Sequence, residues 1–279
     1  MGRALAERAG QDPHRGGRQG VLSLPVRLLG RLDHELEAGA GLMAILDYDG
    51  TLAPIASSPD LAVLAPTVRA TLSRLARSKR ARLAILSGRA LADVRRRVGL
   101  DAVVYGGCHG LEIEGRGLRF RHPRVRPLRV AAVGRALRVG AADIPGAHVE
   151  FKRLCVSMHY RNVAPSHRQD VHQLVTRIAR GAPDLTVVGG RKVFDFVPRV
   201  GWTKGEAARW IVHHERTLPP GRTVVLYAGD DLTDETAFEA LRDRGVTVRV
   251  GPRRGGAEYW VDGVAQMHHL LRWIVRKVD

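Results

Sequence analysis

Apolar and polar positions fall into blocks along the chain. Leu42-Met43-Ala44-Ile45-Leu46 is an unbroken apolar run closed by Asp47-Tyr48-Asp49-Gly50-Thr51. A run of this length bounded by polar residues and glycine reads as a short buried strand. Leu83-Ala84-Ile85-Leu86 repeats the pattern and ends in Ser87-Gly88-Arg89; Val103-Val104-Tyr105 ends in Gly106-Gly107-Cys108-His109-Gly110. Val224-Val225-Leu226-Tyr227-Ala228 ends in Gly229-Asp230-Asp231-Leu232-Thr233-Asp234-Glu235. Helices are predicted over 67–78, with Pro66 as a start signal, over 90–98, and over 206–214, where Ala207, Ala208, Trp210 and Ile211 recur at near-helical spacing behind Trp202-Thr203-Lys204-Gly205. Strands alternating with helices predict a parallel sheet with crossover helices.

The pattern changes in the middle. Leu111-Glu112-Ile113-Glu114 alternates like a half-exposed strand. A helix-like stretch (127–142), paired antiparallel strands (149–161), a second helix (166–180) and a hairpin around Gly189-Gly190 follow. These form an α+β unit, placed at 111–195, inserted into a core of 39–110 and 196–279. The first part of the chain, 1–38, is expected to be a flexible basic extension, because Met1 to Gly20 is rich in Gly and Arg; a short helix fits between Val21 and Glu37.

Composition excludes several classes. A chain of 279 residues can bury a sizeable core. No stretch approaches the ~20 apolar residues of a membrane span, and no signal-peptide pattern is visible. The two cysteines, Cys108 and Cys155, form no disulfide framework and suit a reducing cytoplasm. The net charge of +17 raises nucleic acid as a partner. The arginines are scattered, however, and no aromatics interleave with them, so nucleic acid is not expected. Lysine is rare, at 79, 152, 192, 204 and 277; three of these five fall in segments with other chemistry-bearing residues.

Carboxylates, a hydroxyl and a lysine thus stand at the ends of strands or starts of helices. In an open parallel sheet those ends share one edge, where ligands bind. Asp47-Tyr48-Asp49-Gly50 alone is equally a strand followed by an Asp-Gly turn. With the other segments it supplies what phosphoryl transfer needs: a nucleophile, carboxylates for Mg²⁺, and fixed positive charge for phosphate oxygens.

Asp47-x-Asp49-Gly50-Thr51, Ser87, Lys204 and Gly229-Asp230-Asp231-x-x-Asp234 resemble, in order and spacing, the four motifs of the haloacid dehalogenase superfamily of phosphatases. The resemblance implies a Rossmann-like parallel-sheet α/β core with an inserted α+β cap of the C2 type. It implies Asp47 as the nucleophile, Asp49 as acid and base, and Ser87 and Lys204 on the phosphate oxygens. Mg²⁺ would be held by Asp47, the Asp49 carbonyl and Asp230, with Asp234 in support.

The inserted segment carries a second resemblance. Glu150-x-Lys152, Ser157-x-His159-Tyr160-Arg161, Lys192-x-x-Asp195 and the turn 107–110 with Glu112 resemble the trehalose-6-phosphate phosphatases. The resemblance implies hydrolysis of trehalose 6-phosphate in the cytoplasm, with a separate synthase supplying it, since no second catalytic domain is expected here. It places substrate contacts at Gly88, Arg89, His109 and Glu112 and, in the cap, at Glu150, Lys152, Arg161, Lys192 and Asp195. Two positions depart from the family pattern: Asp195 stands in place of glutamate, one methylene shorter, and Cys108 in place of a polar residue. Another sugar phosphate, of the sucrose 6-phosphate or mannosyl-phosphoglycerate type, and a catalytically weak regulatory protein of the same fold are the alternatives.

Overall fold

The apolar runs become strands buried on both faces, and alternate residues of each strand feed two separate cores. The computed structural model describes residues 24–215 and 221–279. In chain order the elements are α1 (Val26–Glu37), β1 (Gly41–Leu46), α2 (Pro66–Arg77), β2 (Ala81–Leu86), α3 (Leu91–Val98), β3 (Val104–Gly107), β4 (Glu112–Gly115), β5 (Leu118–Arg121) and α4 (Pro127–Gly140). Then come β6 (His148–Phe151), β7 (Val156–His159), α5 (Arg168–Arg180), β8 (Leu185–Gly190), β9 (Val193–Pro198) and α6 (Lys204–His214). The chain closes with β10 (Thr223–Gly229), α7 (Leu232–Leu241), β11 (Gly245–Val250), β12 (Tyr259–Val261) and α8 (Val264–Val278).

One sheet of eight strands has the order β12-β11-β10-β1-β2-β3-β4-β5. It is parallel from β12 to β3 and antiparallel across β4 and β5. On β1, Leu42, Ala44 and Leu46 face α1, α2 and α8 in one core, while Met43 and Ile45 face α6 and α7 in the other. This is the period-two alternation of a strand covered by helices on both sides.

The second sheet, β6-β7-β9-β8, is wholly antiparallel. One face carries Val149, Val156, Met158, Phe194 and Phe196, packed under α4 and α5. The same alternation sends the intervening residues, His148, Glu150, Ser157, His159 and Asp195, to the opposite face, toward the large sheet's strand ends.

Three expected boundaries differ from the structure; one is the end of the inserted unit, placed at 195, which falls inside β9, paired with β8 as far as Pro198. Residues 111–121 were expected in the inserted unit, yet β4 and β5 hydrogen-bond onto β3 and extend the large sheet. Alternation identifies a strand but not the sheet it joins. The flexible extension was expected to reach 38. Instead α1 packs onto the core through Leu28, Leu32 and Leu36, spaced four apart on one helix face and at most 1% exposed. Its buried Glu35 is paired with Arg222 at 2.8 Å. The remainder of that expected extension, 1–23, lies outside the described residues.

Candidate active site

The parallel strands β1, β2 and β10 end at one edge. Asp47 continues β1 by one residue, its N–H donating to the Ala228 carbonyl at 2.9 Å. The chain then turns tightly, with the Gly50 N–H donating to the Ala53 carbonyl at 2.7 Å. Gly50 has φ +79°, and a Cβ there would run into the Asp230 carboxylate. Glycine therefore lets the loop carrying Asp49 close over Asp230.

Asp230 and Asp231 follow β10, where local sequence sets the geometry. Asp231 caps α7, accepting from the Leu232 N–H at 2.8 Å, and Asp234, three residues on, accepts from the Asp231 N–H at 3.0 Å. This reciprocal capping box fixes the loop. Asp234 is saturated: it accepts from the Asp230 N–H at 3.0 Å, the Tyr227 hydroxyl at 2.7 Å and Lys204 Nζ at 2.8 Å.

Lys204 opens α6, whose first turn is capped by Thr203 accepting from the Glu206 N–H at 3.3 Å. Its Nζ also donates to Asp47 Oδ1 at 2.8 Å. Burial would lower the Lys204 pKa, but Asp234 and Asp47 outweigh it and hold the ammonium firmly charged. Burial pushes the Asp47 pKa well up; Lys204 opposes this, and Asp234 and Asp230 add to it.

Asp47, Asp230 and Asp234 each offer an oxygen within 4.8 Å of the others, all buried. Both Asp230 side-chain oxygens are buried without a hydrogen-bond donor, and burial first, then Asp234, pushes its pKa up to about 7. Arg191 comes to 3.5 Å from Oδ2. Orphaned hard oxygens among further carboxylates suit a divalent cation. Asp234 is the least available of the three, since four donors already occupy it.

Ser87 directly follows β2, and Arg89 stands two residues on. The Arg89 guanidinium is spent within the protein: Nε and Nη2 donate to the two Asp49 oxygens at 2.7 Å each, Nη1 to Asp93 at 2.7 Å and Nη2 to the Pro59 carbonyl at 2.8 Å. It was expected to touch substrate; it stands at the cavity with these N–H groups directed at Asp49, Asp93 and Pro59.

The turn after β3 carries Cys108 and His109 at φ +49° and +60°, an uncommon backbone for non-glycine residues. It presents His109 Nε2 to Asp195 at 3.0 Å across the boundary between the two sheets. Lys152 crosses the same boundary, donating to the Gly88 carbonyl at 3.0 Å and approaching Asp195 at 3.4 Å. Ser157 also donates to Asp195. Burial would raise the Asp195 pKa, but Lys152, then His109 and Ser157, hold it well below the carboxylate range. Glu150 accepts from His159 at 2.9 Å and stands 3.6 Å from Lys152; together these outweigh its burial and lower its pKa.

A cavity of about 680 Å³ lies between these groups. Its large-sheet side is lined by Asp47, Asp49, Ser87, Gly88, Arg89, His109, Lys204 and Asp230; its small-sheet side by Glu150, Lys152, Arg161 and Asp195. Glu112 and Lys192 are not brought to it. Glu112 stands on β4 and accepts from Arg121 at 2.6 Å and 3.0 Å. Lys192, at φ +66°, lies over the Tyr160 ring at 5.8 Å. Its neighbour Arg191 lines the cavity, as do His148, His159 and Asn162. The sequence signal for Arg191 was its place at the same hairpin, and that for His148 its place on the Glu150 face of β6.

A parallel sheet with an acidic cluster at its strand ends and a smaller α+β layer over them is the haloacid dehalogenase-type α/β fold with a cap. The profile described as trehalose-phosphatase matches residues 45–259, and the chain belongs to that family. It is 37% identical over 241 residues to a trehalose-phosphate phosphatase of Mycolicibacterium paratuberculosis, covering 82% of this chain and 61% of that protein. The chain thus spans about three fifths of the length of the curated relatives it matches. The C-terminal domain of Candida albicans trehalose-6-phosphate phosphatase shares the fold, with a TM-score of 0.78 at 21% identity over 88% of this chain and 96% of that one. A trehalose-6-phosphate phosphatase related protein superimposes with a TM-score of 0.71 at 26% identity, over 84% and 97%.

Proposed function

We propose that this chain hydrolyses trehalose 6-phosphate to trehalose and phosphate through an aspartyl-phosphate on Asp47. The observation that carries this reading is the two-sided cavity. Asp47, Ser87 and Lys204 meet on one wall, and charged partners suited to sugar hydroxyls, Glu150, Lys152 and Arg161, face them on the other.

Lys204 holds Asp47 Oδ1, which leaves the other carboxylate oxygen to attack phosphorus. As the new P–O bond forms, the bond to the sugar oxygen breaks, and Asp49 gives that oxygen a proton. Water then attacks phosphorus, Asp49 takes its proton, and the bond to Asp47 breaks to release phosphate. Lys204 and Ser87 steady the phosphate oxygens throughout. Mg²⁺ is the proposed cation, held by Asp47, the Asp49 carbonyl and Asp230, with Asp234 fixing the loop beneath. It would offset the repulsion between an anionic nucleophile and a dianionic ester.

The large-sheet layer, β4 and β5 included, does the chemistry; the four-stranded unit of β6 to β9 with α4 and α5 selects the leaving group. A separate synthase supplies the substrate, and the setting is the cytoplasm, with neither nucleic acid nor a membrane taking part. Among the described residues no helix is long and apolar enough to cross a membrane. One observation favours a related sugar phosphate as a second reading: Asp195 is committed to His109, Lys152 and Ser157, which removes one carboxylate from the sugar contacts.

The test is phosphate release from a panel of sugar phosphates, with Mg²⁺ or chelator. Release from trehalose 6-phosphate that requires Mg²⁺ is expected. Selective release from another sugar phosphate would overturn the substrate, and release from none would overturn the activity.

A further inference from the structure

Asp49 has to do two opposite things in the proposed reaction, and both depend on where its carboxylate points. Its side chain is 37% exposed, whereas Asp47, Asp230 and Asp234 are buried. An exposed aspartate on a turn samples several rotamers, and a misdirected acid is of no use to a leaving oxygen. Something must hold it.

The Arg89 guanidinium is built to do so. Its Nε and Nη2 form a parallel fork onto Asp49 Oδ2 and Oδ1, at 2.7 Å each. Such two-point pairing fixes the plane of a carboxylate as well as its position. The guanidinium is itself immobilised from behind. Asp93 takes Nη1 at 2.7 Å, the Pro59 carbonyl takes Nη2 at 2.8 Å, and the Tyr48 ring lies 5.3 Å below. Asp93 is fixed in turn by Arg97 Nε at 2.8 Å and by Arg96. Arg89 is 6% exposed, and four of its five N–H groups are assigned to protein acceptors.

We propose that Arg89 is the positioning residue for Asp49: it aims the acid–base carboxylate at the leaving oxygen and contributes no contact of its own to the substrate. This assignment rests on the phosphatase reading above. It extends that reading by a chain of command running from α3 through Asp93 and Arg89 to Asp49.

The consequence is specific to the leaving group. An aligned acid matters when the departing oxygen is a sugar alkoxide and hardly matters when it is a nitrophenolate, which leaves unassisted. The measurement is kcat/KM for trehalose 6-phosphate, a simple alkyl phosphate and p-nitrophenyl phosphate, with wild type, Arg89→Gln and Asp93→Asn. This ratio counts steps only as far as loss of the alcohol, so hydrolysis of the phosphoenzyme does not mask the effect. Arg89→Gln is expected to lose about 100-fold or more on the two alkyl esters, the usual worth of a general acid, and less than about 10-fold on the aryl ester. Asp93→Asn, which bears on Asp49 through Arg89, is expected to shift the ratio in the same direction by a smaller factor. Thermal unfolding of each variant establishes that it is folded. Equal losses on all three esters in folded variants would overturn the assignment and leave the phosphatase reading standing. Wild type inactive on every ester would overturn both.

Discussion

The buried contact between the two sheets makes a quantitative prediction. Asp195→Asn preserves shape and removes one charge. In the wild type, Asp195 pairs with Lys152 at 3.4 Å and accepts from His109 at 3.0 Å, with Ser157 as a third donor. After substitution Lys152 keeps the Gly88 carbonyl at 3.0 Å and Glu150 at 3.6 Å, so its charge is not wholly abandoned. Removing one partner of a buried pair costs about 3–5 kcal/mol; the surviving partners put this case at the lower end, about 3. At a urea dependence of about 3 kcal/mol per molar for a chain of this size, the midpoint falls by about 1 M. Combined with Lys152→Met in a double-mutant cycle, the coupling between 152 and 195 is expected to be about 2 kcal/mol. The pH sign follows from the depressed Asp195 pKa: its contribution is present above the ordinary 3.8 and is lost as pH falls further, through the folded value. The gap between variant and wild type should therefore be full at about pH 6 and shrink below about pH 4. A loss under about 1 kcal/mol with no coupling would refute the view that this network holds the two layers together.

Two further outcomes are expected. Asp230→Asn should abolish turnover yet stabilise the cation-free protein at neutral pH by roughly 2–4 kcal/mol. The folded carboxyl keeps its proton up to about pH 7 while the unfolded one loses it near 3.8, so wild-type stability drains away between those values; calorimetry in chelator showing a lower melting temperature for the variant would contradict this. Glu150→Ala should reduce kcat/KM on trehalose 6-phosphate at least tenfold more than on p-nitrophenyl phosphate, about the worth of a charged hydrogen bond. Equal losses would remove Glu150 from sugar recognition.

The core was legible because its signals are local. Each strand was an apolar run, and each polar group stood where that run stopped, so one topological rule gathered Asp47, Ser87 and Asp230 at a common edge. What was not legible depended on pairing and on backbone twist. The alternation at 111–114 looks the same in either sheet, so β4 was placed on the wrong side of the boundary. Lys192 and Arg191 are neighbours in one hairpin, and the positive φ of Lys192 accompanies the swap of which cation reaches the cavity. Arg89 reads in sequence as one more basic residue beside a phosphate motif; only its neighbours in space, 40 residues back at Asp49 and 30 back at Pro59, reveal where its donors go. Helix α8 carries a full apolar face, Met267, Leu270, Leu271, Ile274 and Val275, that covers the sheet. It lies beyond every motif and attracted no reading.

The central claim is that Asp47 carries the phosphoryl group, and one measurement addresses it directly. The protein is mixed with trehalose 6-phosphate and Mg²⁺, quenched during turnover, and reduced with borohydride, which converts an aspartyl-phosphate to homoserine. Peptide mass spectrometry should then find that conversion at position 47 and nowhere else, with none in Asp47→Asn. Turnover without reduction at position 47, or with reduction at another carboxylate, would contradict the account.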